Sequence, residues 1–208
     1  MFNSGFIPSV DGSEYVFDVN IKANDGLPLK YSYMHTLPEV INQGNDPTCV
    51  PCSISAWLNW KTNLSIGKKT DNSVDIYEIF NGGDGKEDGM TCKAAFKYII
   101  DNGVDSDAGK LSLSKYFLIK SAFALRHAIV ANGPCVAVLP VYNTDIDEFW
   151  DNRYNIYDFI GYHAISVVGY DESGFIIRNS WGDSYGEDGY AYVPNEDINK
   201  CKEIWTLC

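Results

Sequence analysis

The chain has 208 residues, 45% of them hydrophobic and 14% aromatic, enough to bury a substantial core in one domain or two closely packed lobes. Twenty-eight acidic against 16 basic residues leave a formal charge of -12, a field that repels phosphate backbones and anionic lipid and argues against nucleic acid as a partner. No apolar run approaches the roughly 18 residues of a spanning helix. The first ten residues lack the basic start and apolar block of a secretory signal, so the expected location is cytoplasmic or otherwise intracellular, with no membrane partner.

Residues 1–40 read as irregular, broken by Pro8, Pro28 and Pro38. The first helix is predicted after Asn45-Asp46-Pro47-Thr48, with Thr48 as its cap, running through Ile54, Trp57 and Leu58 and fading near Asn63. A shorter helix is predicted from Ser73 to Phe80, ended by Asn81-Gly82-Gly83. Thr91 caps an amphipathic helix over 92–101, with Ala95, Phe96, Ile99 and Ile100 on its apolar side and Gly103 as stop. Ser121 caps another over 122–131, with Gly133-Pro134 beyond. After Pro134 the pattern turns to strands at 135–139, 163–170, 175–178, 190–193 and 203–207, the second and third joined by Asp171-Glu172-Ser173-Gly174. Helices first and an antiparallel sheet second predict an α+β chain with two lobes and a cleft between them. The division is expected at about 27–105 and 106–208, after an extension over 1–26. That extension has two open placements, an extra strand or a short plug across the cleft.

Three segments carry chemistry. In Gln43-Gly44-Asn45-Asp46-Pro47-Thr48-Cys49 a cysteine falls at the head of a helix, where free amides and the dipole favour thiolate over thiol. Gln43 supplies a side-chain NH2 which, with the Cys49 N–H, suits a carbonyl oxygen gaining charge. On its own such a cysteine reads equally well as a small buried hydrophobe. His163, at the start of an apolar strand, and Asn179, in Arg178-Asn179-Ser180-Trp181-Gly182, break the tie. A hairpin turning at 171–174 makes them neighbours, so the Asn179 carbonyl can fix the imidazole tautomer and leave the other nitrogen for the thiol. Trp181 is placed to shield that bond.

The three segments, in this order and spacing, resemble the papain family of cysteine peptidases. The resemblance extends through Leu27-Pro28, Asp88-Gly89, Asn132-Gly133-Pro134 and Gly186-Glu187-Asp188-Gly189-Tyr190, and covers about 27–208. It implies a papain-like two-lobed fold, a helical lobe followed by an antiparallel β-sheet or barrel lobe, with the active site in the cleft. It further implies a cysteine endopeptidase that hydrolyses amides through an acyl-enzyme, with Cys49, His163 and Asn179 as triad and Gln43 as oxyanion donor. Asp88, Gly89 and Met90 would then offer backbone to an extended peptide. Val138, Gly161, Ala164 and Leu207 would form an apolar second-subsite pocket. The expected partner is a peptide or protein substrate, met by a monomer without metal or cofactor.

Departures from the family pattern are also clear. Asp46-Pro47-Thr48-Cys49-Val50 stands where the family has Cys-Gly-Ser-Cys-Trp, so a disulfide partner and an aromatic are missing. The separation of Cys49 from His163, 114 residues, is shorter than the roughly 130 typical of the family. No long inhibitory propeptide is expected, and these features resemble the prodomain-less bacterial or viral branch more than a lysosomal cathepsin. Rival readings are a thiol-dependent transpeptidase or isopeptidase, an inactive binding module on this fold, or a redox protein built on Cys49-Val50-Pro51-Cys52. The last lacks the strand a thioredoxin-like site needs directly upstream. A reversible Cys49–Cys52 disulfide is a further expectation. Zinc on Cys49, Cys52, Cys201 and Cys208 fails on spacing, and Asp84-Gly85-Lys86-Glu87-Asp88-Gly89 fails as a calcium loop because Ala95 stands where glutamate is required.

Overall fold

The computed structural model describes residues 5–8, 15–17, 26–152 and 159–208; the remainder of the expected 1–26 extension lies outside the described residues. Among the described residues there are four helices and nine strands, with the long strands following the helices. Strand β1 (Tyr31–Ser32) and a 3-10 turn precede the long helix α1 (Cys49–Ile66). Then come α2 (Ile76–Gly82), α3 (Cys92–Asn102), and the short strands β2 (Val104–Ser106), β3 (Gly109–Leu111) and β4 (Tyr116–Leu118). Helix α4 (Ala122–Asn132) leads into β5 (Cys135–Val141), β6 (Gly161–Tyr170), β7 (Gly174–Arg178), β8 (Tyr190–Pro194) and β9 (Glu203–Leu207).

Two of the helix starts follow the sequence reading. The Thr91 hydroxyl accepts from the Ala94 amide at 3.0 Å and that of Ser121 from the Ala124 amide at 3.1 Å, each satisfying one orphan donor of a first turn. The other two differ. Thr48 makes no side-chain cap to α1, because its hydroxyl faces the Cys52 thiol at 3.8 Å. Helix α1 also continues past Asn63 to Ile66 and stops only at Gly67, whose φ of 72° takes the left-handed closing position. Helix α2 begins after Asp75, which accepts from the Tyr77 amide at 2.8 Å, rather than at Ser73. The Ser73 N–H is committed to the side-chain Oδ1 of Asn59 on α1 at 3.2 Å, which keeps that residue in the loop.

The large sheet is antiparallel and runs β4-β9-β5-β6-β7-β8, with β1 added to β6 beyond the start of β5 at Cys135. Strands β5 and β9 are buried along their whole lengths, which explains their continuous apolar runs. Strands β1 to β4 have two or three residues each, too few to show a period, and for that reason escaped the sequence reading. One apolar core joins α4 to the sheet through Leu125, Ile129, Leu139, Ile165 and Ile177. A second joins α1 and α3 to the opposite face of β5 and β9 through Leu58, Phe96, Ile99, Val138 and Trp205. Helix α1 therefore lies between the two, tied to β6 by the buried bond from the Ser166 hydroxyl to the Ser53 carbonyl at 2.7 Å. Its N-terminus faces the start of β6.

Candidate functional site

The β6–β7 hairpin sets the geometry. Asp171 organises its turn by accepting from the amides of Ser173 at 2.8 Å and Gly174 at 3.1 Å, and from the hydroxyls of Ser173 and Tyr192. Ser166 pairs with Arg178, and continuing that register past the end of β7 sets His163 across from Trp181, with Asn179 on the diagonal. The side chains follow. His163 Nε2 and Asn179 Oδ1 are 2.7 Å apart, and Trp181 stacks on the imidazole with ring centroids 4.7 Å apart and planes at 25°. Phe149 meets the same imidazole edge-on at 5.6 Å. His163 is fully buried, so the bond to Asn179 is held out of water. That bond engages Nε2 and leaves Nδ1 as the ring's second nitrogen.

Residue 43 is pinned to the other end of the hairpin. The Gln43 amide donates to the Ser180 carbonyl at 2.9 Å, Gly182 donates to the Ile41 carbonyl at 3.2 Å, and Asn42 bridges Trp181. Its side chain is held at both ends: Oε1 accepts from the Ser180 hydroxyl at 2.5 Å and Nε2 donates to the Asp46 carbonyl at 2.7 Å. These contacts leave no doubt about which end of the amide is nitrogen, since the reverse would set two oxygens against each other at Asp46. The second hydrogen of Nε2 remains for another acceptor. Four residues after Asp46 the chain is already in α1.

Cys49 is the first residue of α1 and is fully buried. Its sulfur faces backbone amides of Ala164, Val50 and Cys49 itself, so the head of α1 and the start of β6 meet at the thiol. Those amides favour the thiolate, as the sequence reading expected. Burial opposes them and pushes the Cys49 thiol up to about 12. Cys52, one turn on, is likewise pushed up to about 12 by burial, and none of the six cysteines is in a disulfide.

Met90, Val138, Ala164 and Leu207 share one buried apolar cluster with Cys49. Asp88 and Gly89 sit just before Met90 in the turn closed by Lys86 and Gly89. Gly161 opens β6 opposite Val141, a step away from that cluster.

Residues 53–205 match the profile of the papain family of cysteine proteases. The chain belongs to that family. Family members are hydrolases, and relatives extend the likeness on both sides of the match. A cathepsin L-like proteinase of Phaedon cochleariae is 28% identical over 97% of this chain and 69% of its own length. A gut-specific cysteine proteinase of Caenorhabditis elegans is 33% identical, over 41% of this chain and 27% of its own length. Among solved structures, xylellain, a cysteine protease from Xylella fastidiosa, superposes with a TM-score of 0.75 at 18% identity, covering 99% of this chain and 96% of that one. Procathepsin B S9 of Trypanosoma congolense reaches 0.78, also at 18% identity, covering 99% of this chain and 86% of that one. At such identities the structural likeness establishes the papain-like fold.

Within this papain-family chain the profile match includes His163 and Asn179 but begins four residues after Cys49, so Gln43 and Cys49 rest on the geometry just described. Ser180 escaped the sequence reading. It was read only as part of a motif, although its hydroxyl orients Gln43 across 137 residues of chain. A hydroxyl beside an asparagine is uninformative in sequence; only the folded contact reveals it.

Proposed function

We propose that the chain is a cysteine endopeptidase that cleaves peptide bonds through an acyl-enzyme, with Cys49 as nucleophile. His163, steadied by Asn179 and covered by Trp181, takes the thiol proton and returns it to the leaving amine, then activates water for the second step. The Nε2 hydrogen of Gln43 and the Cys49 N–H hold the oxygen as it gains charge. The observation that carries this reading is the buried 2.7 Å bond from His163 Nε2 to Asn179, with the Cys49 sulfur against the very next backbone amide, that of Ala164. Asp88, Gly89 and Met90 offer backbone to an extended substrate. Met90, Val138, Ala164 and Leu207, with Gly161 at the rim, favour a bulky apolar residue two before the cut. The substrate is a peptide or protein.

Labelling with a thiol-reactive epoxide, followed by peptide mapping, tests the assignment. The expected adduct is confined to Cys49, is absent from Cys49→Ala, and forms much more slowly in His163→Ala. An adduct at Cys52 in the native protein, or peptidase activity surviving in Cys49→Ala, overturns it. For the pocket, a peptide library yielding arginine or aspartate as the preferred residue two before the cut removes the apolar assignment.

A further inference from the structure

Gln43 is held through a second element, by residues that the mechanism above does not use. Ser180 and Gly182, just past β7, fix the segment from 41 to 43. A separate segment, 72–77, leads into α2 and meets the same stretch of chain. The Asn72 side-chain amide donates to the Glu39 carbonyl at 2.9 Å, and the Tyr77 hydroxyl donates to Asp46 Oδ2 at 2.5 Å. The two contacts fall before and after Gln43. The tyrosine bond has the length of a hydroxyl on a charged acceptor.

Asp46 is the residue at which such a hold matters. Its carbonyl accepts from Gln43 Nε2 at 2.7 Å and from the Thr48 amide at 2.8 Å, and its own amide donates to the Gln43 carbonyl at 3.1 Å. It therefore fixes one end of the glutamine amide and leads the chain into α1 and Cys49. The segment 72–77 is itself anchored on α1. Buried Asn59 donates to Asn72 Oδ1 at 3.2 Å and accepts from the Ser73 amide, while Val74 and Ile79 are buried in the cluster that holds Trp57 and Leu58. The Tyr77 ring, by contrast, is 47% exposed, so apolar burial does not explain its position. Asp46 also stands where the family pattern has the first cysteine of Cys-Gly-Ser-Cys-Trp, and none of the six cysteines is in a disulfide. The loop is held without a covalent tether.

We propose that Tyr77 is a positioning residue, whose hydroxyl braces the loop 43–48 through the Asp46 carboxylate and so keeps Gln43 Nε2 aimed at the reacting oxygen. The inference rests on the reading of Gln43 as oxyanion donor. Tyr77 acts through Asp46 and then through the glutamine, not on substrate. Without the hydroxyl, the Asp46 peptide can turn, and the carbonyl that restrains Nε2 turns with it. An oxyanion donor contributes only while it is already in place as charge develops, so looser placement slows the chemical step and leaves ground-state binding alone.

The test uses the full chain and the variants Tyr77→Phe, Asp46→Ala and Asp46→Asn, with turnover followed by release of a fluorophore from a small peptidyl amide. Tyr98→Phe is the control, since it removes a tyrosine–carboxylate bond to Glu78, at 3.3 Å, between α3 and α2. Tyr77→Phe and Asp46→Ala should each lower kcat about 3- to 10-fold with KM nearly unchanged. The double variant should be no slower than Asp46→Ala, Asp46→Asn should keep most of the rate because it retains an acceptor oxygen, and the control should match the wild type. In a Gln43→Ala background the effect of Tyr77→Phe should vanish. An unchanged kcat in Tyr77→Phe, or a loss that persists undiminished without Gln43, overturns the brace. Hydrogen exchange reads the loop without turnover: the Asp46 and Thr48 amides should exchange about 3- to 10-fold faster in Tyr77→Phe and not in Tyr98→Phe. Equal exchange in the wild type and Tyr77→Phe overturns the proposal whatever the activity. Faster exchange in a chain that cleaves no peptidyl amide leaves the brace standing and removes the peptidase reading instead.

Discussion

Ser180→Ala isolates the orientation of Gln43 from its presence. The hydroxyl lost is buried, 4% exposed, and donates to a Gln43 oxygen that is itself buried, so water does not replace it. Removing one partner of such a bond costs about 1–3 kcal/mol. The Asp46 carbonyl still holds Nε2 at 2.7 Å, so the amide keeps one of its two restraints and the lower half of that range applies. The expected result is a fall in kcat of about 5- to 30-fold with KM nearly unchanged, because an oxyanion donor acts in the transition state rather than on bound substrate. Gln43→Ala sets the ceiling, about 100- to 1000-fold. The double variant should be no slower than Gln43→Ala alone, since Ser180 acts through the glutamine. Steady-state kinetics on all three measure this. Additive losses, or a change confined to KM, would refute the reasoning.

Asn179→Ala should lower kcat/KM about 10- to 100-fold, by freeing an imidazole that is otherwise held in one tautomer; an unchanged rate would detach the 2.7 Å bond from the chemistry. Burial raises Cys135 from 9.0 to about 12, so above pH 9 the unfolded chain sheds a proton that the folded chain keeps. Stability should therefore fall between pH 9 and about 12, by about 1.4 kcal/mol per pH unit per such thiol. Urea midpoints at rising pH check it, and Cys135→Ala should flatten the slope. Asp171, drawn down to about 2 chiefly by the Tyr192 hydroxyl, acts in the opposite sense: its stabilisation is present above about pH 4 and is lost as pH falls towards 2. Asp171→Ala should destabilise the chain by about 0.5–2 kcal/mol at pH 7, as for a lost cap, and that difference should shrink in acid melts.

Much of the fold is legible locally. Thr91 and Ser121 announce α3 and α4 because a hydroxyl one residue before a helix has a nearby amide to satisfy. The β6–β7 hairpin is equally legible: two apolar runs around an Asp-Glu-Ser-Gly turn admit few registers, and those bring His163 and Asn179 together. Thr48 shows where such rules fail, since a competing thiol one turn along takes its hydroxyl. Ser73 fails likewise, its amide claimed by Asn59 from a different element. In both cases a partner supplied by packing displaced the local one.

What this sequence determines by itself is the set of reactive side chains and their adjacency along a turn or hairpin, because those depend on neighbours within about twenty residues. The burial of Cys49, the second restraint on Gln43 and the seating of Phe6 in the cluster with Cys49 were decided only in three dimensions. Each depends on excluding water with groups more than forty residues away, and local sequence does not encode solvent exclusion between distant segments.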